Sequence, residues 1–378
     1  MRVFLFAIAL ILINKTSFSQ LNSPTDNFPL PLEKCNTYSE LSIAIQLLKG
    51  STEYKIEKAY DWIIDHIKYN HKVKSDEKYI IEKDLHKIVK SKKAICSEYV
   101  YLLNDLLDKM NIVSESVAGY CKSCDSDNKG FTAPSHVWNA VFVDSIWRMM
   151  DVTWDAELSQ GRKVKNRKRS KKYFLKSSQE FMKDHLPAMP LWQLSDSLIT
   201  IQCFKKNEIL NLDNRTSKGS KNDIDTYLSL APIQKRLFED RTTYQFNPTI
   251  KNKNTFGQNI LDYASMLTDS LDESDRSNYS KNRRIRQDII QLFGQAEELV
   301  IKLHTWQWEM YANIVINEII DVYNNHPKMN WTDNEWKNLL NEITRARYIL
   351  QKIENTYYKE SSLAVCEEIE NAIKGYID

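Results

Sequence analysis

Within one stretch of this chain, residues 96 to 153, the apolar residues change period, and that change restricts the fold more than any other feature. From Cys96 to Met110, Tyr99, Leu102, Leu103, Leu106, Leu107 and Met110 recur at three- and four-residue steps. One stripe of a helix is therefore apolar, and Cys96 stands at that helix's N-terminus. From Ser135 the step becomes two, with Val137, Asn139, Val141 and Val143 alternating against His136, Trp138, Ala140 and Phe142. Asp144-Ser145 reads as a two-residue turn, and a second strand is expected from Ile146 to about Thr153. A helix followed by a hairpin points to an α+β fold.

The hairpin register places chemistry. If Asp144 and Ser145 are the turn, Val143 pairs with Ile146 and the same register sets Trp138 opposite Asp151 and His136 opposite Thr153. His136 and Asp151 then share a face as diagonal neighbours, about 7–8 Å apart at the backbone, a gap their side chains can bridge. A one-residue slip would send one of them to the other face. A cysteine at a helix N-terminus meets partial positive charge and unpaired N–H groups, which favour the thiolate. An imidazole held by a third group would activate it further. Taken singly, Cys96, His136 and Asp151 each have an ordinary structural reading; together they form a catalytic constellation.

At these residues the chain resembles the transglutaminase-like superfamily. The matching stretches are AICSEYVYLLNDLLDKMNI with its downstream Gly119-Tyr120, HVWNAVFVDSIWRMMDVTWD, and the upstream WIIDHIKYN. The resemblance covers roughly residues 51 to 204 and implies a papain-like, transglutaminase-like core, with the nucleophile helix packed on an antiparallel sheet, in a bacterial exported member. By it, Cys96 is the nucleophile, His136 the general base and acid, and Asp151 the orienting carboxylate. Ala94 stands where a small residue, commonly Gly, precedes the nucleophile, and Asp-Ser replaces the common Asp-Gly at the turn. The Cys96 N–H is one oxyanion donor, and no second donor is identified. The family's chemistry implies attack on amide or peptide bonds through a thioester, with peptidase or amidase activity favoured because water is the default acceptor. Protein cross-linking by acyl transfer and a non-catalytic binding or scaffold role are the alternatives. The implied partner is a protein or peptide substrate, cell-wall peptide among them, and no cofactor or metal is expected.

The organisation along the chain fits that reading. Residues 1–19 run from Arg2 through an apolar stretch, Val3 to Ile13, to Ser17-Phe18-Ser19, the pattern of a secretory signal peptide. That stretch is far short of the ~20 residues of a bilayer span, so the mature chain is expected without a transmembrane segment, periplasmic or secreted. Residues 20–50 are a lead segment, 51–204 the transglutaminase-like domain and 205–378 a helical domain with stripes such as Ile289, Leu292, Phe293 and Ala296. Fifty-two Lys and Arg nearly balance fifty Asp and Glu, which gives no whole-chain case for nucleic acid or an anionic surface. Of six cysteines, Cys121 and Cys124 are spaced for a local disulfide in an exported protein, a metal site being disfavoured without a second ligand pair. The run Arg162 to Lys172 reads as a solvated basic loop. His185 and His304 stand alone and read as surface or packing residues, and HTWQWEMY as helix packing.

Overall fold

The computed structural model describes residues 30–73, 79–122, 130–160, 169–195, 197–208, 221–271, 279–325, 331–354 and 356–377. The expected leader, residues 1–19, and Cys124 lie outside them. The first two α-helices are α1 (Tyr38–Gln46) and α2 (Thr52–His66). α1 begins on a capping box, in which Thr37 and Glu40 satisfy each other's backbone N–H. α2 ends at His66, where the chain leaves the helix to form β1 (Lys68–Tyr69). After α3 (Leu85–Ser91), β2 (Lys93–Ala94) pairs with β1 in parallel, Tyr69 against Ala94, and delivers the chain to α4 (Cys96–Asp108).

The sheet consists of β3 (Ser114–Cys121), β4 (His136–Val143), β5 (Ile146–Met150) and β6 (His185–Pro187), in the order β5-β4-β3-β6 and antiparallel throughout. The expected register holds, with Val143 opposite Ile146 and Asn139 opposite Met150. Asp144 and Ser145 both have positive φ, 49° and 64°, the backbone of a type I′ turn. The second strand differs from expectation: it ends at Met150, and α5 (Val152–Gln160) follows. Asp151 sits between them and caps the helix, its Oδ1 accepting the Trp154 N–H at 3.0 Å. Thr153 is therefore helical and does not oppose His136.

The sheet is buried on both faces. Val141, Val143 and Met150 join the core made by α2, α4 and α5. Val117, Trp138, Ala140 and Met149 lie in a second cluster with Trp192. After the short helices α6 (Ser178–Phe181) and α7 (Ile201–Lys206), α8 (Lys221–Ser229) supplies Ile224 and Tyr227 to that same cluster. The remaining helices are α9 (Pro232–Phe246), α10 (Ile250–Thr268), α11 (Tyr279–Leu299), α12 (Thr305–Asn325), α13 (Asp333–Leu350) and α14 (Thr356–Ile377). α10 to α14 share a core of their own around Ile289, Phe293, Tyr311, Val315 and Ile343. The helices are tied to the sheet by polar contacts as well. Lys235 Nζ meets Glu115 Oε1 at 2.6 Å, and Asn247 Nδ2 donates to Tyr120 Oη at 2.9 Å. Among the described residues no helix is long and apolar enough to cross a membrane.

Candidate active site

The start of α4 is held by a buried carboxylate. Glu98 accepts the Ile95 N–H at 2.9 Å through Oε2, while its Oε1 accepts the Tyr79 hydroxyl at 2.6 Å and the Glu82 N–H at 2.9 Å. Ile95 is thereby fixed in an extended conformation immediately before Cys96, the first residue of the helix. The N–H groups of a first helical turn lack intrahelical acceptors, so the half-buried free thiol of Cys96 sits where an anion is favoured. Asn139 on β4 donates to Val100 O at 3.2 Å and Asn104 Oδ1 at 2.7 Å. One side chain of the His-x-Trp-Asn stretch thus ties the His136 strand to the Cys96 helix.

His136, at the first position of β4, is buried, and its Nε2 lies 2.7 Å from Asp151 Oδ2. The ring also hydrogen-bonds the Cys96 thiol. With Nε2 committed to Asp151, Nδ1 is the nitrogen that faces the sulfur. Burial alone would disfavour the imidazolium, but the charge of Asp151, the bond to it and the Cys96 contact outweigh burial and push His136 up to about 10. The converse holds for Asp151: burial works against its charge, yet His136 and then His185 hold it well below the usual carboxylate range. Trp154 stacks on the His136 ring, centroids 5.6 Å apart. Asp155, the last residue of the Asp-x-Thr-Trp-Asp stretch, is buried and accepts from Tyr60 Oη at 2.7 Å and from the Tyr173 N–H at 3.0 Å. The same Tyr60 hydroxyl lies 2.8 Å from Asp151 O and shares its one proton between the two oxygens, so the backbone of the capping residue is braced from α2.

The three sequence-selected residues thus meet at one point, although Asp151 arrives as a helix cap and not as a strand residue. His185 departs from its reading as an isolated surface or packing histidine. It is fully buried, with Nε2 3.1 Å from Asp151 Oδ2 and Nδ1 2.7 Å from Asp184 Oδ1. His304 is exposed, as expected. Gly119 explains the Gly-Tyr pair: a Cβ there would come within 2.3 Å of both the Trp138 ring and Leu186 O, so only glycine lets β3, β6 and Trp138 close. Tyr69 on β1 is a feature sequence reasoning missed. Burial, and after it the charge of a Cys96 thiolate, push its phenol above the usual range. Cys121 is disulfide-bonded, and its expected partner Cys124 lies outside the described residues. Of the basic run, residues 162–168 lie outside them too, and Arg169 and Lys171 pair with Asp61 on α2.

One group among the described residues could hold a metal ion: donor atoms of His136, Asp151 and His185 lie within 4.8 Å of one another. The bonds at 2.7 and 3.1 Å already pair these same atoms. An ion at zinc-ligand distances of about 2.0–2.2 Å would have to displace both bonds.

Residues 41–152 match the model of the transglutaminase-like superfamily. The Kyphoscoliosis peptidase of Mus musculus is 26% identical over 143 residues, 37% of this chain and 22% of that protein. That of Homo sapiens is 25% identical over 156 residues, 40% of this chain and 23% of that protein. The chain therefore spans less than a quarter of the length of these curated relatives. A solved structure from Cytophaga hutchinsonii, titled as a candidate cysteine protease, aligns over 34% of this chain and 43% of its own, at 15% identity and a TM-score of 0.23.

Proposed function

We propose, from the match of residues 41–152 to the model of the transglutaminase-like superfamily, that this chain hydrolyses peptide or amide bonds through a thioester on Cys96. The observation that carries this reading is the buried His136 ring, bonded on one side to Asp151 at 2.7 Å and on the other to a thiol at a helix N-terminus. In the first half-reaction His136 Nδ1 takes the thiol proton, and the Cys96 sulfur attacks the carbonyl carbon. The carbonyl oxygen gathers negative charge beside the Cys96 N–H. Collapse breaks the C–N bond, and the departing amine takes the proton from His136. In the second half-reaction a water gives its proton to His136 and attacks the thioester. The acid leaves, and the proton returns to sulfur. Asp151 holds the ring with Nδ1 facing the thiol throughout.

The substrate class is a protein or peptide, cell-wall peptide included, in keeping with the family and with the leader-like pattern of residues 1–19, which supports action outside the cytoplasm. The test is mass spectrometry of a defined peptide mixture incubated with wild type and with Cys96→Ala, beside circular dichroism. New termini or deamidated side chains are expected with wild type and at background with the variant, both proteins being folded. Cleavage that persists in Cys96→Ala would remove Cys96 from the mechanism. Incorporation of an added primary amine in place of hydrolysis would move the activity to cross-linking acyl transfer.

A further inference from the structure

Asp151 serves two imidazoles with one oxygen. The Nε2 atoms of His136 and His185 lie 2.7 and 3.1 Å from Oδ2. The remaining nitrogen of His185 faces Asp184 Oδ1 at 2.7 Å. Around this second ring stand Trp154, Phe181, Tyr173 and Trp138, with centroids 4.2, 4.3, 5.1 and 5.2 Å away. A site that needed only packing among four aromatic rings would be filled by another apolar ring, without the cost of burying two polar nitrogens. Both nitrogens face carboxylates, and an ionised carboxylate only accepts. Asp184 is such a group: burial opposes its charge, yet the His185 contact and the Tyr173 hydroxyl at 2.7 Å hold it below the usual range. A neutral imidazole carries one N–H, so both bonds form together only in the imidazolium.

We infer that His185 is a positioning residue: an imidazolium strapped between Asp151 and Asp184 that fixes Oδ2 for His136 and offsets part of the Asp151 charge. The inference deepens the proposed function and rests on it for its catalytic meaning. Its consequence is electrostatic. The two rings are 5.7 Å apart, so a charge on His185 opposes the imidazolium form of His136, which Asp151 and the Cys96 contact favour. His136 must release its proton to the leaving amine, and a carboxylate at full strength would hold that proton too firmly. The other titratable groups facing this network are Tyr60, Asp155, Tyr69 and Tyr99 on the side of Asp151, and Lys172 and Lys122 near Asp184.

The experiment is nitrogen-detected imidazole NMR of the full chain labelled at its histidines, for wild type, His185→Gln and His185→Phe. Glutamine keeps a donor toward Asp151 and loses the charge and the bond to Asp184. Phenylalanine keeps the ring and loses every donor. Expected for wild type is a His185 with both nitrogens protonated at neutral pH. Expected for His185→Gln is a His136 titration midpoint about one pH unit higher than in wild type. Where a substrate is in hand, kcat should fall roughly tenfold in His185→Phe and less in His185→Gln, with KM little changed. A singly protonated His185 in wild type would overturn the inference. So would a His136 midpoint that stays in place in His185→Gln, since packing alone does not move it. These readouts do not depend on Cys96 chemistry, so failure of the nucleophile assignment in Cys96→Ala is told apart from failure here.

Discussion

Replacing Asp151 by Asn tests the orienting role at constant side-chain size, because the charge is lost and one acceptor becomes an NH2 donor. In the native site Oδ1 accepts the Trp154 N–H at 3.0 Å, and Oδ2 accepts from His136 at 2.7 Å and from His185 at 3.1 Å. If the Asn oxygen keeps the helix cap, its NH2 group confronts both Nε2 atoms. His136 must then present a bare Nε2 and carry its proton on Nδ1, the nitrogen that faces Cys96, where it cannot receive the thiol proton. Loss of the correct tautomer in an analogous triad costs about 10⁴ in kcat, equivalent to about 5 kcal/mol of barrier. If the amide flips instead, the ring is rescued but the helix cap is lost, at about 1 kcal/mol of stability.

The pH dependence carries a sign. His136 is raised to about 10 by Asp151 and by the Cys96 contact, with burial opposing. Its contribution to stability is therefore complete below the unfolded value of about 6.5 and is lost as pH rises toward 10. Asp151 is lowered, so its contribution is complete above about 3.9 and is lost as pH falls. The stability gap between wild type and Asp151→Asn should be widest between about pH 4 and 6.5 and should close on either side. The assays are iodoacetamide labelling of Cys96 against pH, kcat on a peptide substrate, and urea unfolding at four pH values. An unchanged labelling profile together with an unchanged kcat would show Asp151 to be a helix cap and nothing more.

Two further substitutions test the frame around the site. Gly119→Ala puts a Cβ within 2.3 Å of Trp138 and of the β6 backbone, and should cost about 3 kcal/mol in urea unfolding; a loss under about 0.5 kcal/mol would mean that β3 and β6 separate easily. Ser145→Gly relieves a residue held at φ 64° in the turn and should raise stability by about 0.5 kcal/mol without touching kcat. A loss of stability there would argue against the type I′ geometry.

The parts of the site that were legible in the sequence are those written in local periodicity. Alternation from Val137 to Val143 and a two-residue turn are sufficient to fix register, and the observed pairs Val143–Ile146 and Asn139–Met150 keep it. What misled was Val152-Thr153, two β-branched residues that extend a strand pattern, while the Asp151 carboxylate in front of them caps a helix through a residue three positions on. The Glu98 clamp was legible in principle, since a carboxylate three residues after Ile95 is the spacing of a capping box. His185 was not legible. It lies on a three-residue strand that pairs with β3 and not with either hairpin strand, and it reaches Asp151 from 34 positions away. A strand that short has no period to read, and Asp184-His185 looks like any surface acid beside a histidine. Only the closure of β3 on β6 at Gly119, where a side chain would collide with Leu186, brings that pair to the buried side of Trp154. The second imidazole on Asp151 is thus a product of the sheet's tertiary order, and the glycine that permits the order is the one residue through which the sequence records it.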